Sequence, residues 1–125
     1  MALEKQLTKA ETQVMSVLWS MPNNSGFSSE IINSYPEPKP ALTTLLTFLK
    51  ILRGKGYVKA EKQGKAQLFI ATVKKDEYIH AYMKEVADLF FNGSAISLIS
   101  FVASHEQLSD KEVNDLIIQL LNRKK

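Results

Sequence analysis

Thr43, Thr47 and Lys50 recur at spacings of four and three within PALTTLLTFLKILR, residues 40–53. At 100° per residue they share one side of a helix with Gly54, flanked by Thr44 and Ile51. Leu45, Phe48, Leu49 and Leu52 fall on the other side. The outward side is therefore short, polar and nearly free of acid. Short hydroxyls let a helix backbone approach phosphates and base edges, and lysine supplies charge, so this pattern suits contact with a polyanion. A hydroxyl-rich solvent face is also common on ordinary amphipathic helices, and the neighbouring chain must decide between the two.

The elements that would position these groups follow directly. Pro40 suits the first helical position, where its missing N–H has no partner to lose. Gly54 and Gly56 bracket the helix end, where a left-handed residue is usually needed. In Tyr57–Lys62, Val58 and Ala60 alternate with Lys59 and Glu61, the pattern of a half-buried strand. Gln63-Gly64-Lys65 forms a tight turn, and Gln67–Ala71 returns as a second strand with Lys62 and Lys65 at the tip. Helix, glycine turn and basic hairpin, in that order, predict a winged helix-turn-helix. Its recognition face for double-stranded DNA would use Thr43, Thr47, Lys50 and Arg53, with Lys62 and Lys65 on the wing.

Charge is segregated in the same sense. From Lys50 to Lys75 eight basic residues face one acid, Glu61, a net +7, whereas from Asp76 to Asn122 two bases face eight acids, a net −6. The whole chain carries only +3. A basic field concentrated on one segment marks a polyanion-binding face joined to a different kind of module.

Upstream, Thr8-Lys9-Ala10-Glu11 reads as a capping box opening a helix with Val14, Met15, Leu18 and Trp19 on its apolar stripe. Trp19 is expected as a core residue. Met21–Gly26 ends that helix, Phe27 starts a minimal strand, and Ser28 caps a short helix with Ile31 and Ile32 inward. Pro36, Pro38 and Pro40 forbid helix between them and favour an extended path. A winged domain over residues 1–73 is expected, three helices plus a small β-hairpin, followed by a helical region over 74–125.

That second region carries Ile79, Met83, Val86 and Phe90 on one helix, widened by Tyr82 and Leu89. Asn92-Gly93-Ser94 breaks it, and Ala95–Ser104 is apolar nearly all round through Ile96, Ile99, Phe101 and Val102. Ser109 and Glu112 form a second capping box before a helix with Leu116 and Leu120. Three short helices enclose a core of their own poorly. Packing against a second copy of the chain solves this, at about 1.5–3 kcal/mol for each large side chain buried. A two-fold dimer also matches two half-sites on a duplex. Ile79, Met83, Val86, Phe90, Ile96, Ile99, Phe101, Val102, Leu116 and Leu120 are the expected dimer interface.

The 125 residues contain no cysteine, which excludes a disulfide framework and thiolate metal sites. No apolar run reaches the roughly 18–20 residues of a membrane span, and the polar N-terminus lacks a signal-peptide core, so a cytoplasmic protein is expected. No phosphate-binding glycine loop, nucleophile–base set or HExxH is present, so no enzyme, cofactor or small-molecule substrate is expected. His80 and His105 are too isolated to make a metal site.

The segments LTKAETQVMSVLW, TTLLTFLKILRGKGYV, KQGKAQLFIATVKKDEY and FFNGSAISLISFVASHEQLSDKE together resemble the penicillinase and methicillin-resistance repressor family over Leu7–Leu121. The resemblance implies a homodimeric winged-helix repressor on a palindromic operator. It also implies release by proteolysis through a membrane-bound sensor metalloprotease that detects β-lactam. By position, Thr44 and Thr47 match the family's paired DNA-facing threonines, and the bond between Ser100 and Phe101 matches its cleavage point. Ile51 stands where many members carry arginine, which removes a bidentate guanine contact. A winged-helix protein-interaction module and a ligand-gated regulator are the alternatives the same fold allows.

Overall fold

The computed structural model describes residues 6–105 and 108–122, with the side chain of Leu120 outside the described residues. Along the chain come α1 (Lys9–Trp19), a single 3-10 turn (Pro22–Asn24), β1 (Ser25–Phe27), α2 (Ser28–Ser34) and α3 (Leu42–Lys55). Then follow β2 (Val58–Gln63), β3 (Ala66–Ala71), α4 (Lys75–Phe90), α5 (Ala95–His105) and α6 (Asp110–Asn122). The result is a mainly helical chain carrying a winged helix-turn-helix, as the patterning predicts.

The capping box at α1 is complete: Glu11 N–H donates to Thr8 Oγ1 at 3.2 Å, and Thr8 N–H donates to Glu11 Oε1 at 3.1 Å. Val14, Met15 and Leu18 are fully buried on its inner side. α2 begins one residue earlier than expected. Phe27 is its N-cap and Ser28 is already helical, with Glu30 Oε1 accepting from Phe27 N–H at 2.9 Å in place of a serine cap. Tyr35, held extended before Pro36, closes it. Pro40 also lies outside its helix. Ala41 stays extended at ψ 150°, and the first α3 bond runs from Leu45 N–H to Ala41 O.

α3 packs on α1, α2 and β2. Leu45, Leu49 and Leu52 are fully buried there, in one core with Ile31 of α2 and Val14 and Leu18 of α1. The helix stops at Gly56, at φ 86°, where Tyr57 N–H donates to Leu52 O and Gly56 N–H to Arg53 O. These two bonds are the Schellman arrangement, and they turn the chain directly into β2.

The sheet is antiparallel in the order β1-β3-β2. Val58 pairs with Ala71 and Gln63 with Ala66, so Gln63 belongs to the strand and the turn is the two residues Gly64 and Lys65. Gly64 takes φ 63°, the left-handed position that a two-residue hairpin reserves for glycine. Val58 and Phe69 point into the core; Lys59 and Glu61 face out.

The chain divides into two compact units between Ala81 and Tyr82, inside α4; the sequence reading ends the winged domain with the hairpin, at Val73. Aromatic contacts keep the start of α4 with the winged unit. Trp19 is half-buried at the edge of the core, with its Nε1–H donating to Val73 O at 2.8 Å. Its ring lies 5.6 Å from that of Tyr78, and the Tyr57 ring meets Tyr78 edge-on at 5.9 Å.

The second unit is built differently. α6 opens on its capping box, Glu112 N–H donating to Ser109 Oγ and Ser109 N–H to Glu112 Oε1. Among the described residues from Tyr82 on, Ala87 is the one buried apolar residue, and α5 buries none.

Two glycines at the end of α3, Gly54 inside it and Gly56 just beyond, are expected to respond oppositely to alanine. Gly54 is exposed with open space where a Cβ would stand, so Gly54→Ala raises stability by about 0.5–1 kcal/mol. Gly56→Ala costs about 1–2 kcal/mol, because the left-handed conformation crowds a Cβ. Urea denaturation with unchanged m-values reads both signs.

Candidate nucleic-acid interface

Thr43, Thr44, Thr47, Lys50 and Arg53 are all exposed along α3, and Lys62 and Lys65 are exposed at the end of the hairpin. α3 contains no acidic residue. Lys59 is held to Glu61 at 3.3 Å on the exposed face of β2, which leaves Lys62 and Lys65 as the lysines of the hairpin tip. The wing and the outward side of α3 thus belong to the same compact unit.

Three features differ from the sequence expectation. The outward side of α3 is less polar than expected: Leu42 and Leu46 are 49% and 41% exposed, and Ile51 is exposed as well. The Thr47 hydroxyl donates to Thr43 O at 3.0 Å, so it offers acceptor lone pairs and a methyl group rather than a proton. Lys55 does not belong to the basic face. Its ammonium donates to Glu11 Oε1 at 2.6 Å and to Gln6 O at 3.0 Å, so its charge is matched inside the winged unit.

Glu11 is buried, and it is the buried charged residue of the described core. Burial pushes its carboxyl pKa up, but the Lys55 ammonium and the Thr8 backbone and hydroxyl bonds outweigh that, and it is held below the usual carboxylate value. The pair spans 44 residues of sequence and ties the start of α1 to the last turn of α3. It is a positioning contact: it fixes the end of the helix that carries Thr47, Lys50 and Arg53.

In the second unit, Met83, Phe90, Ile96, Ile99, Phe101 and Val102 are exposed, and Val86 and Leu116 are half-buried. Ile79 is exposed on the part of α4 that belongs to the winged unit. Leu120 lies on α6, its side chain outside the described residues. Ser100 and Phe101 are both exposed and lie in the middle of α5. The Phe101 ring stacks on His105 at 4.2 Å and sits 5.7 Å from Phe91. His105 Nδ1 lies 2.9 Å from Phe101 O. Among the described residues no three His, Cys, Asp or Glu side chains gather as a metal site, and no single helix is long and apolar enough to cross a membrane.

A helix with an acid-free outward side, closed by a glycine turn and followed by a lysine-tipped hairpin, defines a winged helix-turn-helix regulator. The chain belongs to the penicillinase repressor family, whose sequence profile matches residues 7–123. It is 30% identical to the penicillinase repressor of Bacillus licheniformis over 129 aligned positions, covering 96% of this chain and 95% of that protein. A crystal structure of an ArsR family transcriptional regulator is similar over 72% of this chain and 96% of its own, at 16% identity and a TM-score of 0.38. By family the chain is a DNA-binding transcriptional repressor, which is not an enzyme class.

Glu11→Gln is expected to cost about 1–3 kcal/mol at pH 7, because the Lys55 ammonium, 20% exposed, loses its charged partner. The ordinary value for Glu11 is 4.5 and its folded value is lower. The wild-type advantage over Glu11→Gln is therefore fully present above about pH 5 and is lost as the pH falls through that lowered value. Paired urea titrations between pH 7 and pH 3 measure it.

Proposed function

We propose that this chain is a homodimeric repressor that holds a palindromic operator with two copies of α3 and its wing. Residues 1–73 supply the DNA-binding module, with Thr43, Thr44, Thr47, Lys50 and Arg53 toward the major groove and Lys62 and Lys65 toward the flanking backbone. The observation that carries this reading is the acid-free outward side of α3 together with the lysines of the hairpin tip, in a chain of this family.

Residues 74–125 supply the dimer. Phe90 and Ile96 are 75% and 77% exposed, and the second unit has almost no interior of its own among the described residues. Two copies packed on Met83, Phe90, Ile96, Ile99, Phe101 and Val102 would bury these groups, with Ile79, Val86, Leu116 and Leu120 at the margins. Half a dozen such side chains at about 1.5–3 kcal/mol each exceed the entropic cost of joining two chains.

The protein works in the cytoplasm and is released from DNA when a membrane-bound sensor metalloprotease cuts between Ser100 and Phe101. A protease takes its substrate extended, and this bond lies within α5, so cutting requires α5 to open locally. The cut separates the last helix from the rest, which weakens the dimer and with it the simultaneous hold on two half-sites. Ile51, in place of the arginine many relatives carry, makes the operator differ from the one those relatives bind.

Two measurements test this. Affinity for duplex DNA is expected to fall steeply with salt, and Lys50→Glu is expected to flatten that slope by about one unit while the dimer persists. An affinity indifferent to salt and to Lys50→Glu removes α3 from any DNA interface. Phe101→Asp is expected to sediment as a monomer with its winged unit folded; a persistent dimer places the interface elsewhere.

A further inference from the structure

Leu42 and Leu46 stand one turn apart on the first two turns of α3, and both are exposed. On the helix they adjoin Thr43 and Lys50, outside the buried stripe of Leu45, Leu49 and Leu52. The amino-terminal turns are the part of a recognition helix that reaches base edges. The side chains that read base edges by paired hydrogen bonds are arginine and lysine at guanine and asparagine and glutamine at adenine, while the acids accept from cytosine and threonine adds a single bond. α3 contains no asparagine, glutamine, aspartate or glutamate, and its one arginine, Arg53, lies in the last turn. Thr47, whose proton is committed to Thr43 O, offers a lone pair and a methyl group. The entering turns therefore present the hydroxyls of Thr43 and Thr44, which reach base edges by single bonds at most, beside the alkyl surface of Leu42 and Leu46, with no acid on the helix to repel a duplex.

The apolar feature of the major groove is the 5-methyl group of thymine. We propose that Leu42 and Leu46 are specificity-determining residues that select duplexes by contact with thymine 5-methyl groups. This rests on the reading of α3 as the DNA-facing helix. Leucines that close on methyl groups exclude water from both surfaces, and each methyl so buried strengthens binding by an amount set by its area. Cytosine has no methyl at this position, so the same leucines gain no apolar contact from it.

The test uses the full-length protein and a pool of random-sequence duplexes. The bound fraction is selected, the preferred half-site is read, and that duplex is remade with deoxyuridine for each thymine in turn, which removes the methyl and nothing else. Fluorescence anisotropy is expected to show about a fourfold loss of affinity for each methyl that the leucines touch. Leu46→Ala and Leu42→Ala, both at exposed positions, are expected to bind thymine and uracil duplexes alike at the touched positions while keeping the salt dependence of the wild type. A selected half-site without thymine, equal binding of thymine and uracil duplexes by the wild type, or discrimination unchanged in both variants overturns the inference and leaves DNA binding standing. Absence of salt-dependent binding to any duplex overturns the DNA-facing reading of α3 and this inference with it.

Discussion

Leu45, Leu49 and Leu52 must leave water, and they do so against α1, α2 and β2 at once. That single burial sets the rotation of α3 about its own axis. Once the three leucines are inside, Thr43, Thr47 and Lys50 have no direction left but outward. The Schellman turn at Gly56 then fixes where the helix ends and where the wing begins. Glu11 and Lys55 hold that end against α1 with a short, mostly buried ion pair. A pair of this kind adds little net stability over an apolar contact of the same shape, but breaking it is costly, so it specifies the arrangement more than it strengthens it.

The two compact units solve the problem of apolar area in opposite ways. The winged unit encloses a continuous core from Val14 to Tyr78. The second unit leaves large apolar side chains on α4, α5 and α6 in water. Charge follows the same division, positive on α3 and the hairpin and negative from α4 onward. One unit is thus complete in itself and suited to a polyanion, and the other calls for a further apolar surface.

Much of this was legible because it is local. Thr8 with Glu11 and Ser109 with Glu112 announce helix starts within four residues, and Gly56 and Gly64 announce turns at single positions. The faces of the hairpin follow from alternation of Val58 and Ala60 with Lys59 and Glu61, whereas its register is set by the two-residue turn at Gly64 and Lys65. The candidate DNA face was readable for the same reason, since all but two of its residues lie on one helix. What escaped the sequence is what packing decides at a distance. Glu11 has its capping role written beside it, but its ion-pair partner lies 44 residues away. Lys55 therefore counts toward a basic segment in the sequence and is matched internally in the fold. Leu42 and Leu46 sit at the margin of the apolar sector, and only the extent of the neighbouring elements determines that they remain outside. Pro40 suits a helix start by its own geometry, yet Ala41 stays extended and the helix begins at Leu42.

The chain contains a single tryptophan, and the fold places it at the point where the winged unit hands over to α4. Its indole is bonded to Val73 O and neighbours the Tyr78 ring. The protein thereby carries a built-in optical gauge of that junction. Undocking of the first turn of α4 would wet the indole and shift its emission to longer wavelength.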